Sequence, residues 1–163
     1  MGTRNLVEVV KDGQLKVAQY GQWDGYPTGQ GVVIAQFIQK DMDKDKFKQA
    51  LDNLAWATEE DDDARFKRMQ QVFPDVSSEG WLTMEQAEWY RQNYPELSRD
   101  TGADILKLVQ DSEGKLKLHN SEDFKNDGLF CEYYYRIDMD NETVTMNGTI
   151  TLPFNEWTEE KNE

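Results

Sequence analysis

Cysteine and histidine are almost missing from this chain: 163 residues hold one of each. The lone Cys131 excludes an internal disulfide and fits a reducing, cytoplasmic compartment. The lone His119, in the polar stretch KLHNSED, reads as a surface residue. One histidine leaves no multi-histidine metal site and little for a Ser-His-Asp triad. No apolar run nears the roughly eighteen residues that cross a bilayer, so no membrane partner is expected. The opening MGTRNLVEVV lacks the basic start and apolar middle of a signal peptide, and Leu6 stands where myristoylation wants Ser or Thr. Phosphate-loop glycine patterns are absent as well. GYPTGQG has neither the Walker lysine nor the GxGxxG spacing, and leaves at most a backbone nest at residues 29–31. Bases are scarce, 18 against 32 acids, for a net charge of -14. Such a surface repels nucleic-acid phosphates, so direct DNA or RNA binding is not expected.

Aromatics are plentiful at 12%, which argues for a packed core rather than disorder. The charge is unevenly spread. Residues 1–54 hold seven bases and seven acids, so the whole excess lies in residues 55–163. That half either serves solubility or forms an acidic face that docks on a basic protein. Two strand-like runs, RNLVEVVK and QLKVAQY, flank Asp12-Gly13, a strong hairpin signal. Helices are expected from near Thr28 or Gly29, over about 43–57, from near Asp63–Ala64 to Pro74, from Thr83 to Pro95, and through ADILKLVQ behind a cap at Ser98, Asp100 or Thr101. Thr83 with Gln86 has the spacing of a capping box. LFCEYYYRID (residues 129–138), TVTM and TITL then read as strands, the last two around Asn147-Gly148. Segregated strands and helices predict one α+β domain over residues 1–163. Its antiparallel sheet combines the N-terminal hairpin with a C-terminal meander, covered by the central helices.

The candidate chemistry is thin. Cys131 sits among Leu129, Phe130 and Tyr133 and reads as a buried structural thiol. DMDKDKFKQALD (residues 41–52) mimics a calcium loop, yet lysine holds the turn-glycine place and aspartate the bidentate-glutamate place. Its helical pattern competes, and no metal or cofactor is expected. Asp138, Asp140 and Glu142 have the chemistry to hold a cation but read first as a polar hairpin turn. Thr3 is a nucleophile only if both residues before it are removed. The stretch QYGQWDGYPTGQG (residues 19–31) holds four glycines, one proline, three aromatics and one acid. A turn accounts for the glycines and Pro27. It does not require Gln22, Trp23, Asp24 or Tyr26. They make either a structural corner, with Asp24 bonding backbone amides and Trp23 packed on the core, or one wall of a pocket. The second wall is SRDTG (residues 98–102), with Arg4, Arg99 and Asp100 supplying charge and the aromatics stacking on a planar ligand.

Three blocks, TRNL with VAQYGQWDGYPTGQG, then YPELSRDTGADIL, then LFCEYYYRIDMDN, resemble a widespread family of uncharacterised proteins in phages, prophages and gut bacteria. Thr28 stands for that family's usual serine, and Tyr133-Tyr134 for its usual Trp-Ala. The resemblance implies a single domain of mobile-element origin and brings no activity with it. Phage accessory proteins of this size are often inhibitors of host defence, including acidic anti-CRISPR proteins. The leading expectation is therefore an acidic binding protein acting in a bacterial host's cytoplasm. Its target is a basic host protein, such as a nucleic-acid-binding defence effector, and its docking residues are Glu59, Glu60, Asp61, Asp62 and Asp63. The alternative is a small ligand-binding domain or enzyme built on the pocket above.

Overall fold

A computed structural model describes residues 2–77 and 81–162. Glu79 and Glu163, part of the acidic half, lie outside the described residues. The chain opens with β1 (Asn5–Lys11) and β2 (Gln14–Gly21), an antiparallel hairpin. Asp12 and Gly13 at its tip have φ of 55° and 70°, the left-handed pair a two-residue turn needs to match strand twist. At the other end β5 (Tyr133–Asp138), β6 (Thr143–Met146) and β7 (Ile150–Pro153) form the expected meander. Asn147 and Gly148 repeat the turn chemistry at 54° and 71°.

The two strand groups join through β1 and β5, giving the order β2-β1-β5-β6-β7. The expected α+β fold holds, with one refinement: the joining pair is parallel, so the sheet is mixed. The long helical crossover between β2 and β5 permits a parallel pairing, which no tight turn can make. The run expected as a strand from residue 129 pairs only from Tyr133. Before it the Asp127 carboxylate accepts the Leu129 and Phe130 N–H groups and holds a turn.

Three helices cover one face of the sheet. α1 (Val32–Gln36) is the middle of a continuous helical run whose flanking turns, Pro27–Gly31 and Phe37–Asp41, are wider than α-helical. α2 (Lys44–Asn53) starts at an Asp43 cap, so the calcium-like residues 41–52 are mostly helix. It ends earlier than its periodicity suggests, because Ala55–Trp56 (β3) leaves to pair with Lys117–Leu118 (β4). α5 (Ile105–Asp111) completes the layer. Val7, Val9, Tyr135, Ile137 and Val144 from the sheet meet Ile34, Phe47, Leu51, Ile105 and Val109 in one core. Full burial of each such side chain contributes roughly 1.5–3 kcal/mol.

Two further helices, α3 (Glu59–Val72) and α4 (Met84–Asn93), supply no residue to that core cluster. They pack through their own aromatics. Trp89 lies edge-on to Phe73 and Tyr94, and Arg65 and Arg68 sit over the Tyr94 ring. The Thr83–Gln86 capping box forms as expected.

Strand β1 is buried from Asn5 to Val10, so side chains on both of its faces are covered. The face away from the helices is roofed over β2 and β1 by the turn Glu122–Asn126, where Phe124 meets Tyr20 edge-on at 4.9 Å. This roof stops short of β6 and β7, where a concavity opens.

Candidate functional site

The stretch 19–31 and the stretch 98–102 do come together. The Gln22 N–H donates to the Arg99 carbonyl at 2.9 Å, and Trp23 Nε1–H donates to Asp100 Oδ1 at 2.6 Å. Arg91 Nη1 holds the second Asp100 oxygen at 3.2 Å. Gln30 fastens the pair from within. Its Nε2 donates to the Trp23 carbonyl at 3.0 Å, and its Oε1 accepts the Ala103 N–H at 2.8 Å. That last bond replaces the cap expected at Ser98, Asp100 or Thr101. None of these three caps the helix; Ser98 Oγ accepts the Asp100 N–H, and the Thr101 hydroxyl donates to the Pro95 carbonyl. Sequence reasoning missed Gln30. Its signal was a long polar side chain held between two glycines.

The corner is built tightly. Asp24 has φ 55°, left-handed for a residue with a side chain, and its carbonyl accepts the Gln30 N–H at 2.7 Å. A Cβ on Gly29 would collide with that Asp24 carbonyl. The Asp24 carboxylate accepts the Tyr26 hydroxyl at 3.0 Å rather than backbone amides, and this bond raises the Tyr26 pKa. Trp23 is 40% exposed instead of core-packed, with its ring edge against Gly2. Arg4 stays apart, with its guanidinium 4.9 Å from the Phe130 ring centre. Two small hollows flank Arg99, of about 280 and 200 Å³. Ser98, Arg99 and Asp100 line the first, and Arg99 with His119 lines the second. Trp23, Asp24 and Tyr26 line neither.

The acidic run 59–63, which the sequence leaves as either a solvated linker or a helix start, is the start of α3, so the helix begins four residues before the expected Asp63. Its carboxylates favour the positive helix end. Thr58 and Asp61 cap each other's backbone N–H groups in a reciprocal box. This explains the early start. The five acids then divide. Asp61 pairs with Lys117 at 2.6 Å, and that bond first, then the Thr58 amide, lowers its pKa to about 2. Asp62 pairs with Arg65 and takes His119 Nε2 at 2.9 Å, and the histidine bond is the main cause of its lowered pKa. Glu59, Glu60 and Asp63 are exposed and join none of the ion pairs among the described residues.

The roof's edge on the sheet's outer face bounds a concavity of about 740 Å³. Tyr134, Arg136, Thr145 and Asn147 form its floor, and Lys125 and Cys131 its side. Beneath lies Glu8, 1% exposed, whose carboxylate accepts the Tyr134 hydroxyl and faces Lys125 Nζ at 3.3 Å. Burial and then the Glu8 bond push the Tyr134 hydroxyl far up. Cys131 is half-buried, and burial raises its thiol to about 11. No signal in the sequence pointed to this ledge, because its parts come from four separated stretches. Elsewhere, Asp138 accepts the Asp140 and Asn141 N–H groups, and Asp140 accepts those of Asp12 and Gly13. Glu142 pairs with Lys44 at 2.9 Å. Among the described residues no cluster of acids, histidine and cysteine has a metal-holding arrangement, and no helix is long and apolar enough to cross a membrane. Scans against family models, curated proteins and solved structures find no match, so the likeness to phage and gut-bacterial proteins rests on the three sequence blocks alone.

Proposed function

We propose that this chain is a phage- or prophage-encoded binding protein that docks its acidic side on a basic surface of a host protein. A nucleic-acid-binding defence effector has the fitting chemistry, because a surface built to hold phosphates also attracts carboxylates. The observation that carries this reading is the division of the acidic turn of α3. Asp61 and Asp62 are engaged by Lys117, Arg65 and His119, and they fix the helix start in place. Glu59, Glu60 and Asp63 are exposed at that fixed start and join no ion pair among the described residues. A rigid helix end bearing uncompensated carboxylates is suited to steering a cationic partner, and it costs little ordering on binding.

The alternative of a ligand slot between residues 22–26 and 98–102 has less support. The indole N–H of Trp23 and the carboxylate of Asp100 are bonded to each other, and the two stretches meet as a closed corner. The test is affinity capture from host lysate with the natural chain and a Glu59→Lys, Glu60→Lys, Asp63→Lys variant. The expected catch is a basic protein that elutes as salt rises and is lost by the variant. An equal catch with both chains refutes the assignment to α3.

A further inference from the structure

From the ledge on the outer face of the sheet, we infer a second, independent property: it is a binding site for a small organic anion, with Arg136 as its anchor. Strand register places Glu8, Arg136, Thr145 and Thr151 side by side across β1, β5, β6 and β7. Side chains at matched positions share a face, so this row lines the side of the sheet turned away from the helices. The roof over β2 and β1 ends at Lys125 and Cys131. The step from roof to bare strands creates the concavity, whose volume of about 740 Å³ suits a nucleotide-sized molecule.

The charges decide the sign of the ligand. Glu8 is the nearest acid in register to Arg136, yet its carboxylate is spoken for by Tyr134 and Lys125. Arg136 joins none of the ion pairs among the described residues, in a chain where acids outnumber bases 32 to 18. Its exposed guanidinium lies beside the Tyr134 hydroxyl, and its fork of N–H donors matches a phosphate or carboxylate. Two further donors share the floor. The Asn147 amide oxygen is held by the Tyr134 N–H, which leaves its Nδ2 free to donate into the site. The Thr145 hydroxyl, bonded to Thr151 at 2.9 Å, serves as donor or acceptor. Glu132 is the acid on the lining; it lies just before β5, four residues from Arg136 in the chain. A ligand with an anionic head at Arg136 and donor groups at the Glu132 end matches this polarity. A nucleic-acid strand would bring many phosphates against a surface of net charge -14, whereas a small anion meets mainly the local charge at Arg136, so a small anion is the occupant that fits.

The test is amide and arginine-side-chain NMR on the full chain, titrated separately with inorganic phosphate, citrate, AMP and neutral adenosine. At least one of the three anions is expected to shift the Arg136 Nε–H, Thr145 and Asn147 signals saturably, with adenosine far weaker. Arg136→Gln, an exposed change that leaves the core intact, is expected to weaken that binding about tenfold or more. A Lys40→Gln control, at a distant cation, is expected to leave it unchanged. Three results overturn the inference. No anion gives a saturable shift, adenosine binds as well as the best of the anions, or the Arg136→Gln chain, its fold confirmed by its amide spectrum, binds as the natural one does.

Discussion

Gly29 shows how little freedom the corner at residues 19–31 has. Its Cα faces the Asp24 carbonyl so closely that even one methyl group does not fit, and backbone cannot swing aside as a flexible side chain does. Gly29→Ala is expected to destabilise the chain by about 1–3 kcal/mol, the usual cost of overpacking, read as a lowered melting temperature. An unchanged melt would show that the corner relaxes freely. Cys131 gives a second test at this scale. With its thiol raised to about 11 by burial, little of it is thiolate near neutral pH. Ellman's reagent at neutral pH is expected to modify it far more slowly in the folded chain than in denaturant. Equal rates would contradict a half-buried, inert thiol.

At the scale of elements, α3 carries the most specific expectations. Thr58→Ala removes one half of the cap and is expected to cost about 1 kcal/mol in stability, measured by chemical denaturation. Asp61→Asn keeps an oxygen for the cap but discards the charge that faces Lys117. The folded pKa of Asp61, about 2, lies below its ordinary 3.8, so its stabilisation is complete above 3.8 and disappears as pH falls through about 2. The gap in melting temperature between natural and Asp61→Asn chains is therefore expected to close over that window. A gap that is constant with pH would remove the ion pair from the account.

Both hairpins, the Thr83 capping box and the helical reading of residues 41–52 were legible because each depends on residues close in sequence. Asp12-Gly13 and Asn147-Gly148 announce left-handed turns, and Thr83-x-x-Gln86 announces a cap. What was not legible depends on distant partners. The early start of α3 reads as a solvated acid run until Thr58 is seen accepting the Asp61 N–H. The parallel pairing of β1 with β5 leaves no local trace. Nor does the capping of Ala103 by Gln30, 73 residues away in the chain. The corner's contact with residues 98–102 is expected only in the pocket reading, and the bonded Trp23–Asp100 pair in neither. The ledge around Arg136 belongs to the same class, since strand register alone assembles it.

On the scale of the whole molecule, charge and fold are separable. The core lies between the sheet and α1, α2 and α5, while α3 and α4 flank it with their own aromatic packing. The acidic excess of residues 55–163 begins at α3, outside that core. Reversing Glu59, Glu60 and Asp63 spares that core and the Asp61 cap but sets lysines at the positive end of α3, so the variant's melting temperature is measured beside its binding. The most direct measurement is the association rate of the captured host protein with the natural chain and with the Glu59→Lys, Glu60→Lys, Asp63→Lys variant, across a range of salt. Electrostatic docking predicts a rate that falls steeply with salt for the natural chain, and a slow, nearly salt-independent rate for the variant. Matching rates and matching salt slopes for the two chains would contradict docking through the acidic start of α3.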